Sequence, residues 1–141
     1  MYVKIVLSDL QVNWINLKTR KEVLASSMPD CFLHCYLGII TDEDKSYSLY
    51  VIGVSNNSYV MNSVLTWNSK IHIWRSLATT INERLYFGLA VFNKKLYVVG
   101  GVDKNDKCLN SMEMYDPITN KWSECSSMVT KRRNLGVSRI Y

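Results

Sequence analysis

The chain repeats itself at an interval near 48 residues. Arg84 and Arg132 are 48 residues apart, and so are Gly88 and Gly136. Leu49-Tyr50-Val51-Ile52-Gly53 lies 47 residues before Leu96-Tyr97-Val98-Val99-Gly100, and Trp74 lies 48 before Trp122. The same offset sets Trp67-Asn68 over Tyr115-Asp116. A fainter copy precedes these, in which Ser26-Ser27-Met28 matches Ser126-Ser127-Met128. Counting back places Ile15-Asn16 over Tyr115-Asp116 and Glu22 where Trp122 stands. Tandem similarity with a period of about 20–50 residues marks units that cannot bury their own faces and must stack on neighbours. The interval from Met28 to Thr80 is 52 residues, and acidic, polar Thr41–Ser46 reads as an extended hairpin loop inserted there.

Each unit divides into short strands. Nine Tyr and four Trp stand against three Ala (Ala25, Ala78, Ala90), a balance that favours strands over helices. In the clearest unit the strands are expected near Tyr86–Asn93, Lys95–Gly100, Asn110–Asp116 and Lys121–Ser126. Asn93-Lys94, the Gly100–Asp106 stretch and Asp116-Pro117-Ile118-Thr119-Asn120 supply turn chemistry between them. In the third strand Met112 and Met114 face one way, and Glu113 and Tyr115 the other. Leu96-Tyr97-Val98-Val99 is apolar at every position, as a strand covered on both faces requires.

These residues resemble kelch repeats. The resemblance rests on Gly100-Gly101 after an apolar strand, then Tyr115, then Trp122, at a period near 50. It is strong from Ile81 to Met128 and weak before Asp30. It implies an all-β fold in which each repeat is one four-stranded antiparallel blade of a β-propeller. The repeat-defining residues are then Gly53, Trp67, Trp74, Gly100, Gly101, Tyr115 and Trp122. Tyr115 and Trp122 are expected to wedge between blades. The second unit departs from the pattern, with Val54 for the second glycine and Trp67 for the tyrosine.

The inventory is one kelch-repeat region over 1–141. It holds a partial blade at 1–30, blades at 31–80 and 81–128, and the first strand of a further blade within 129–141. A closed propeller has about four to eight blades, so nearly three four-stranded blades form an incomplete, open one. Blade faces left uncovered imply self-association or a partner.

Catalysis is hard to assemble from this chain. It has two histidines, His34 and His72, neither in a context that suggests a triad or a general base. Cys31-Phe32-Leu33-His34-Cys35 lacks the ligand count of a structural zinc site, and Gly100-Gly101 lacks phosphate-loop spacing. The four cysteines read as reduced thiols, and no cofactor is expected. No apolar run approaches about 18 residues, so no membrane span is expected, and the N-terminal segment has no secretory pattern. The net charge of +5 and pI near 9.0 come without a basic stripe, so nucleic acid is not the expected partner.

The charge does mark one end of the blades. In an up-and-down blade the loops after the second and fourth strands emerge together. That end would carry Arg84, Lys104, Lys107, Lys131, Arg132 and Arg133, partly offset by Asp103 and Asp106. Two roles stay open for Arg84 and Arg132: contacts to an acidic protein segment, or bracing of blade edges at the repeat spacing. The loops Val54–Asn62, Thr79–Glu83, Val102–Asn110 and Val129–Arg133 form the expected contact surface.

The Lys/Asn/Ile/Tyr-rich, Ala-poor composition resembles that of poxvirus kelch-like proteins. That resemblance implies a non-catalytic, cytoplasmic module that engages a host protein. The alternative is a remnant of a longer BTB–kelch ubiquitin-ligase substrate adaptor with little activity of its own.

Overall fold

The computed structural model describes residues 4–8, 11–15, 22–27, 32–44, 46–55 and 60–138. Among them every regular element is a strand: β1 (Lys4–Ser8), β2 (Gln11–Ile15), β3 (Glu22–Ser27), β4 (Phe32–Thr41), β5 (Tyr47–Ser55), β6 (Val60–Asn68), β7 (Ile73–Ser76), β8 (Gly88–Phe92), β9 (Lys95–Val99), β10 (Met112–Asp116) and β11 (Lys121–Cys125). They form three antiparallel meanders in chain order: β1–β2–β3, β4–β5–β6–β7 and β8–β9–β10–β11. No sheet closes on itself, so the fold is all-β with open, blade-like sheets.

Local chemistry sets the turns. Phe92 pairs with Lys95 across a two-residue hairpin whose Asn93 and Lys94 both have left-handed φ, 48° and 57°. That conformation matches the twist of the flanking strands and favours Asn. Asp116 Oδ1 accepts a 2.9 Å bond from the Ile118 N–H, and Asn120 at φ 52° returns the chain to Lys121 opposite Asp116. The insertion lengthens the β4–β5 hairpin, and Thr41 pairs with Tyr47 across its tip.

Alternation along the strands builds two cores. Ile40, Tyr50, Ile52 and Val64 of the second sheet pack with Phe87, Leu96, Val98 and Tyr115 at the third. Leu49, Val51, Leu65 and Trp67 are buried on the other face of the second sheet. Successive residues of β5 therefore serve opposite faces, and both faces are covered. In β10, Glu113 and Tyr115 are the buried pair of the alternation, and Met112 and Met114 lie on the half-exposed face. Close contact between sheets occurs where β4 meets β8. A Cβ on Gly38 would lie 2.8 Å from Leu96 Cδ2.

Only part of the strand expected within 129–141 falls among the described residues. Residues 135–138 carry no strand, because among the described residues no strand pairs with them. Residues 139–141 lie outside the described residues, as do Cys31 and residues 56–59 of the expected contact loop.

Candidate protein-interaction face

Three loops are tied together at one end of the β8–β11 sheet. Gly100 N–H donates to Ser111 O at 3.0 Å, and Leu109 N–H donates to Gly101 O at 2.8 Å. Gly101 N–H donates to Arg132 O at 2.8 Å, and Arg132 N–H donates to Leu109 O at 3.0 Å. Leu85 and Val102 exchange both backbone bonds, at 2.9 and 2.8 Å. The two glycines make this junction possible. Gly101 has φ +97°, and a Cβ there would sit 2.5 Å from Leu85 O.

Arg84 belongs inside this junction and not on its surface. The residue is 0% exposed. Its Nη1 donates to Gly100 O at 2.8 Å and Ser111 O at 3.2 Å, and its Nη2 donates to Ser111 Oγ at 3.1 Å and to Glu113 Oε1. The expectation that Arg84 meets a partner is thereby corrected. A planar guanidinium can satisfy several carbonyls and a carboxylate at once, which suits it to brace a strand end. Glu113, also 0% exposed, is the second half of the brace. Its carboxylate accepts from Ile81 N–H at 2.7 Å, Asn82 N–H at 3.0 Å and Asn82 Nδ2 at 2.8 Å. The pair joins the linker entering the sheet to β9 and β10.

The aromatic signature residues form a latch between sheets. Tyr115 is 1% exposed, and its ring centroid lies 6.0 Å from that of Tyr50 and 5.2 Å from that of Trp122. Its hydroxyl donates to Asn120 Oδ1 at 2.9 Å, which also accepts the Ala78 N–H at 3.1 Å. Trp122 Nε1 donates to Ala78 O at 2.8 Å. Both backbone groups of Ala78, just after β7, are thus held by the next sheet. Trp67 has the register position in the second sheet that Tyr115 has in the third, opposite Leu49 and Trp74. Gly53 lies within β5 beside a register shift, and that strand runs on to Ser55 where β9 turns away after Val99.

The remaining cations stay on the surface. Lys104, Lys107, Lys131, Arg132 and Arg133 are all exposed. Arg133 Nη1 reaches Asp106 Oδ1 at 3.0 Å, which joins the β9–β10 loop to the segment after β11. The loops 102–110 and 127–134 carry five Lys+Arg against Asp103 and Asp106, a net +3. Asp103 is a turn former: its Oδ1 accepts from the N–H groups of Asn105 at 2.8 Å and Lys107 at 2.9 Å. Those backbone donors hold its carboxyl below the usual range, with Lys107 and Lys104 adding to the effect. Val129 stands fully exposed beside the cations. A groove of ≈ 410 Å³ adjoins them, lined by Asn62, Ile81, Glu83, Lys104 and Leu109 among others.

A family model described as the Kelch motif matches residues 83–129. That span takes in the Arg84–Glu113 brace, the glycine turn and the Tyr115–Trp122 latch. Residues 83–129 thus carry a kelch repeat. It is 36% identical over 107 residues to an F-box/kelch-repeat protein of Arabidopsis thaliana, covering 74% of this chain and 21% of that protein. It is 34% identical over 88 residues to Kelch-like protein 41a of Danio rerio (62% and 14%). It is 32% identical over 102 residues to Kelch-like protein 13 of Homo sapiens (69% and 16%). The chain spans about a fifth or less of each of these relatives.

In kelch terms, Glu113 is the residue that sequence reasoning passed over. Its signal was there: an acid at an inward position of the alternating strand Met112–Asp116. A buried carboxylate needs several donors, but nothing in the sequence names Arg84, 29 residues away, as one of them. The thiols of Cys35, Cys108 and Cys125 are free, and burial pushes the Cys35 thiol up.

Proposed function

We propose that this chain is a non-catalytic kelch module that binds an acidic protein segment through the loops 102–110 and 127–134. Kelch repeats are typically protein-interaction modules, which supports the class. The observation that carries the site is the +3 surface those two loops share, held in register by Gly101, Leu109 and the Arg133–Asp106 pair. Lys104, Lys107, Lys131 and Arg132 make no ion pair among the described residues, so their charge is available to a partner. Val129 and Ile81 (49% exposed) add apolar anchors at the same end. Complementary charge of this kind accelerates encounter and selects acidic partners. Under the resemblance to poxvirus kelch-like proteins, the partner is a host protein met in the cytoplasm.

A fluorescent glutamate-rich peptide tests the site directly. Binding should weaken as salt rises. Reversing Lys104, Lys131 and Arg132 to Glu removes three exposed charges worth about 0.5–1 kcal/mol each and leaves the Arg133–Asp106 pair in place. The sum corresponds to a loss of roughly 10- to 100-fold in affinity. The fold should survive, because Arg132 ties the loops through its backbone groups. Unchanged peptide affinity in a variant with native circular dichroism sinks the proposal.

A further inference from the structure

We propose that two copies of this chain pair through the end opposite the basic loops, each placing Ile118 in an apolar cleft of the other. The pairing goes beyond the acidic-peptide face and does not rest on it. An anchor, a socket and a balanced set of charges lead there.

The anchor is Ile118, which stands 95% exposed in the turn between β10 and β11. Single exposed apolar residues are ordinary on a protein surface. This one is not required by its own turn. Asp116 Oδ1 accepts the Ile118 N–H at 2.9 Å. Forty-eight residues earlier, between β6 and β7, Asn68 Oδ1 accepts the Lys70 N–H at 2.9 Å. The same side-chain-to-backbone turn therefore forms around a lysine, so the backbone does not ask for isoleucine. Pro117 fixes the preceding φ, and Asn120 at φ 52° ends the turn. A side chain held on so short a turn loses little freedom when it meets a partner.

The socket lies beside it. A cleft of ≈ 390 Å³ opens between the lengthened β4–β5 hairpin and the two turns of the third sheet. Ile40 and Tyr50, each 6% exposed, form its floor, and Pro117 forms part of its wall. It is roomy enough for one branched aliphatic side chain, and its apolar lining suits one.

The charges at its mouth balance. Asp42 and Asp116 stand against Lys94 and Lys95, a net charge of zero. The basic loops at the opposite end carry +3 and would repel a second copy. Lys94 Nζ reaches across from the third sheet to Asp42 Oδ1 at 3.7 Å, and Lys95 Nζ meets Asp116 Oδ2 at 3.1 Å. The Lys94 and Asp42 side chains are about half exposed, so exchanging each other for the same groups of a facing copy costs little. Such a facing set is complementary to itself. Anchor and socket also share one surface. A two-fold contact requires that, because residue i must meet residue j while j meets i. The pair closes on itself, and the basic loops of both copies point outward.

Sedimentation equilibrium on the full chain tests the pairing. Mass should rise with concentration from 16.3 kDa to twice that value across the micromolar range, and stop there. Ile118→Lys copies the turn of Lys70, so circular dichroism and the urea midpoint should hold. Its dimer should dissociate about 100-fold more readily, because two equivalent apolar contacts are lost. Ile118→Ser adds no charge and should weaken the dimer in the same direction. Lys94→Asp suits the left-handed φ of 57° and leaves three carboxylates against Lys95, a net −2. It should weaken the dimer about 10-fold, and Asp42→Lys/Lys94→Asp should recover most of the loss. A monomer throughout the micromolar range overturns the proposal. So does a dimer that both Ile118 variants leave unchanged, and species that keep growing beyond two copies overturn the two-fold contact. A double variant no tighter than Lys94→Asp overturns the charge pairing. Ile118→Ser should bind the glutamate-rich peptide as the parent does, so the pairing and the acidic-peptide face fail separately.

Discussion

Replacing Glu113 with Leu removes the acceptor at the centre of the buried brace. The exchange is a natural one to make, because Leu65 holds the same register position in the second sheet, opposite Val51 as Glu113 is opposite Val98. The Arg84 guanidinium would stay in place at 0% exposure with its charge uncompensated. Breaking one side of a buried ion pair costs about 3–5 kcal/mol. The Ile81 and Asn82 N–H groups also lose their acceptor, but Ile81 is half exposed and water can replace part of that loss. A loss of about 4 kcal/mol is expected for Glu113→Leu. Arg84→Met should cost less, about 2–3 kcal/mol, because three N–H donors still hold the carboxylate. Arg84→Met/Glu113→Leu removes both charges and should cost less than the sum of the single changes by at least about 1 kcal/mol. Urea unfolding followed by tryptophan fluorescence and circular dichroism measures all three. With a slope of about 2 kcal/mol per molar, Glu113→Leu should lower the midpoint by about 2 M. A loss under about 1 kcal/mol for Glu113→Leu, or strict additivity in the double variant, would refute the brace.

Three further outcomes follow from the same geometry. Trp122→Phe keeps a smaller aromatic ring but deletes the 2.8 Å bond to Ala78 O, and should cost at least about 1–2 kcal/mol in the same urea assay. Gly101→Ala forces a Cβ to within 2.5 Å of Leu85 O at φ +97°, so a loss above about 2 kcal/mol is expected, and a neutral result would contradict the tight junction. Burial pushes the Tyr115 hydroxyl up to about 12, with smaller contributions from Tyr50 and Asp116. The folded state therefore favours the neutral phenol, and that contribution is intact below about pH 10 and lost as pH rises toward 12. Alkaline titration by ultraviolet absorbance should show this ionisation coupled to unfolding, and Tyr115→Phe should blunt the stability loss in that window.

Much of this end of the third sheet was legible in the sequence. Gly100-Gly101 at the end of an apolar strand announced a left-handed turn, and the alternation of Met112–Asp116 placed Glu113 and Tyr115 on one face. The destination of Arg84 was not legible. A recurring arginine reads the same whether it meets a partner or a neighbouring strand. Only the position of Glu113, 29 residues away in sequence, distinguishes the two. The same holds for Trp122. Its apolar area predicted burial between blades, but its acceptor, Ala78 O, lies 44 residues earlier and has no side-chain signal.

The strand periods, the turn residues and the spacing of the repeats are local or near-neighbour properties, and these the amino-acid order encodes directly. They were enough to write down two four-stranded meanders. The pairing of elements across the fold came from packing. Folding sheets side by side decided that Arg84 is buried while Arg132, its counterpart one repeat later, is exposed. The physical reason is that burial belongs to the neighbourhood and not to the residue. Arg84 has the ends of β9 and β10 and a carboxylate around it, and Arg132 leads into a segment that pairs with no strand among the described residues.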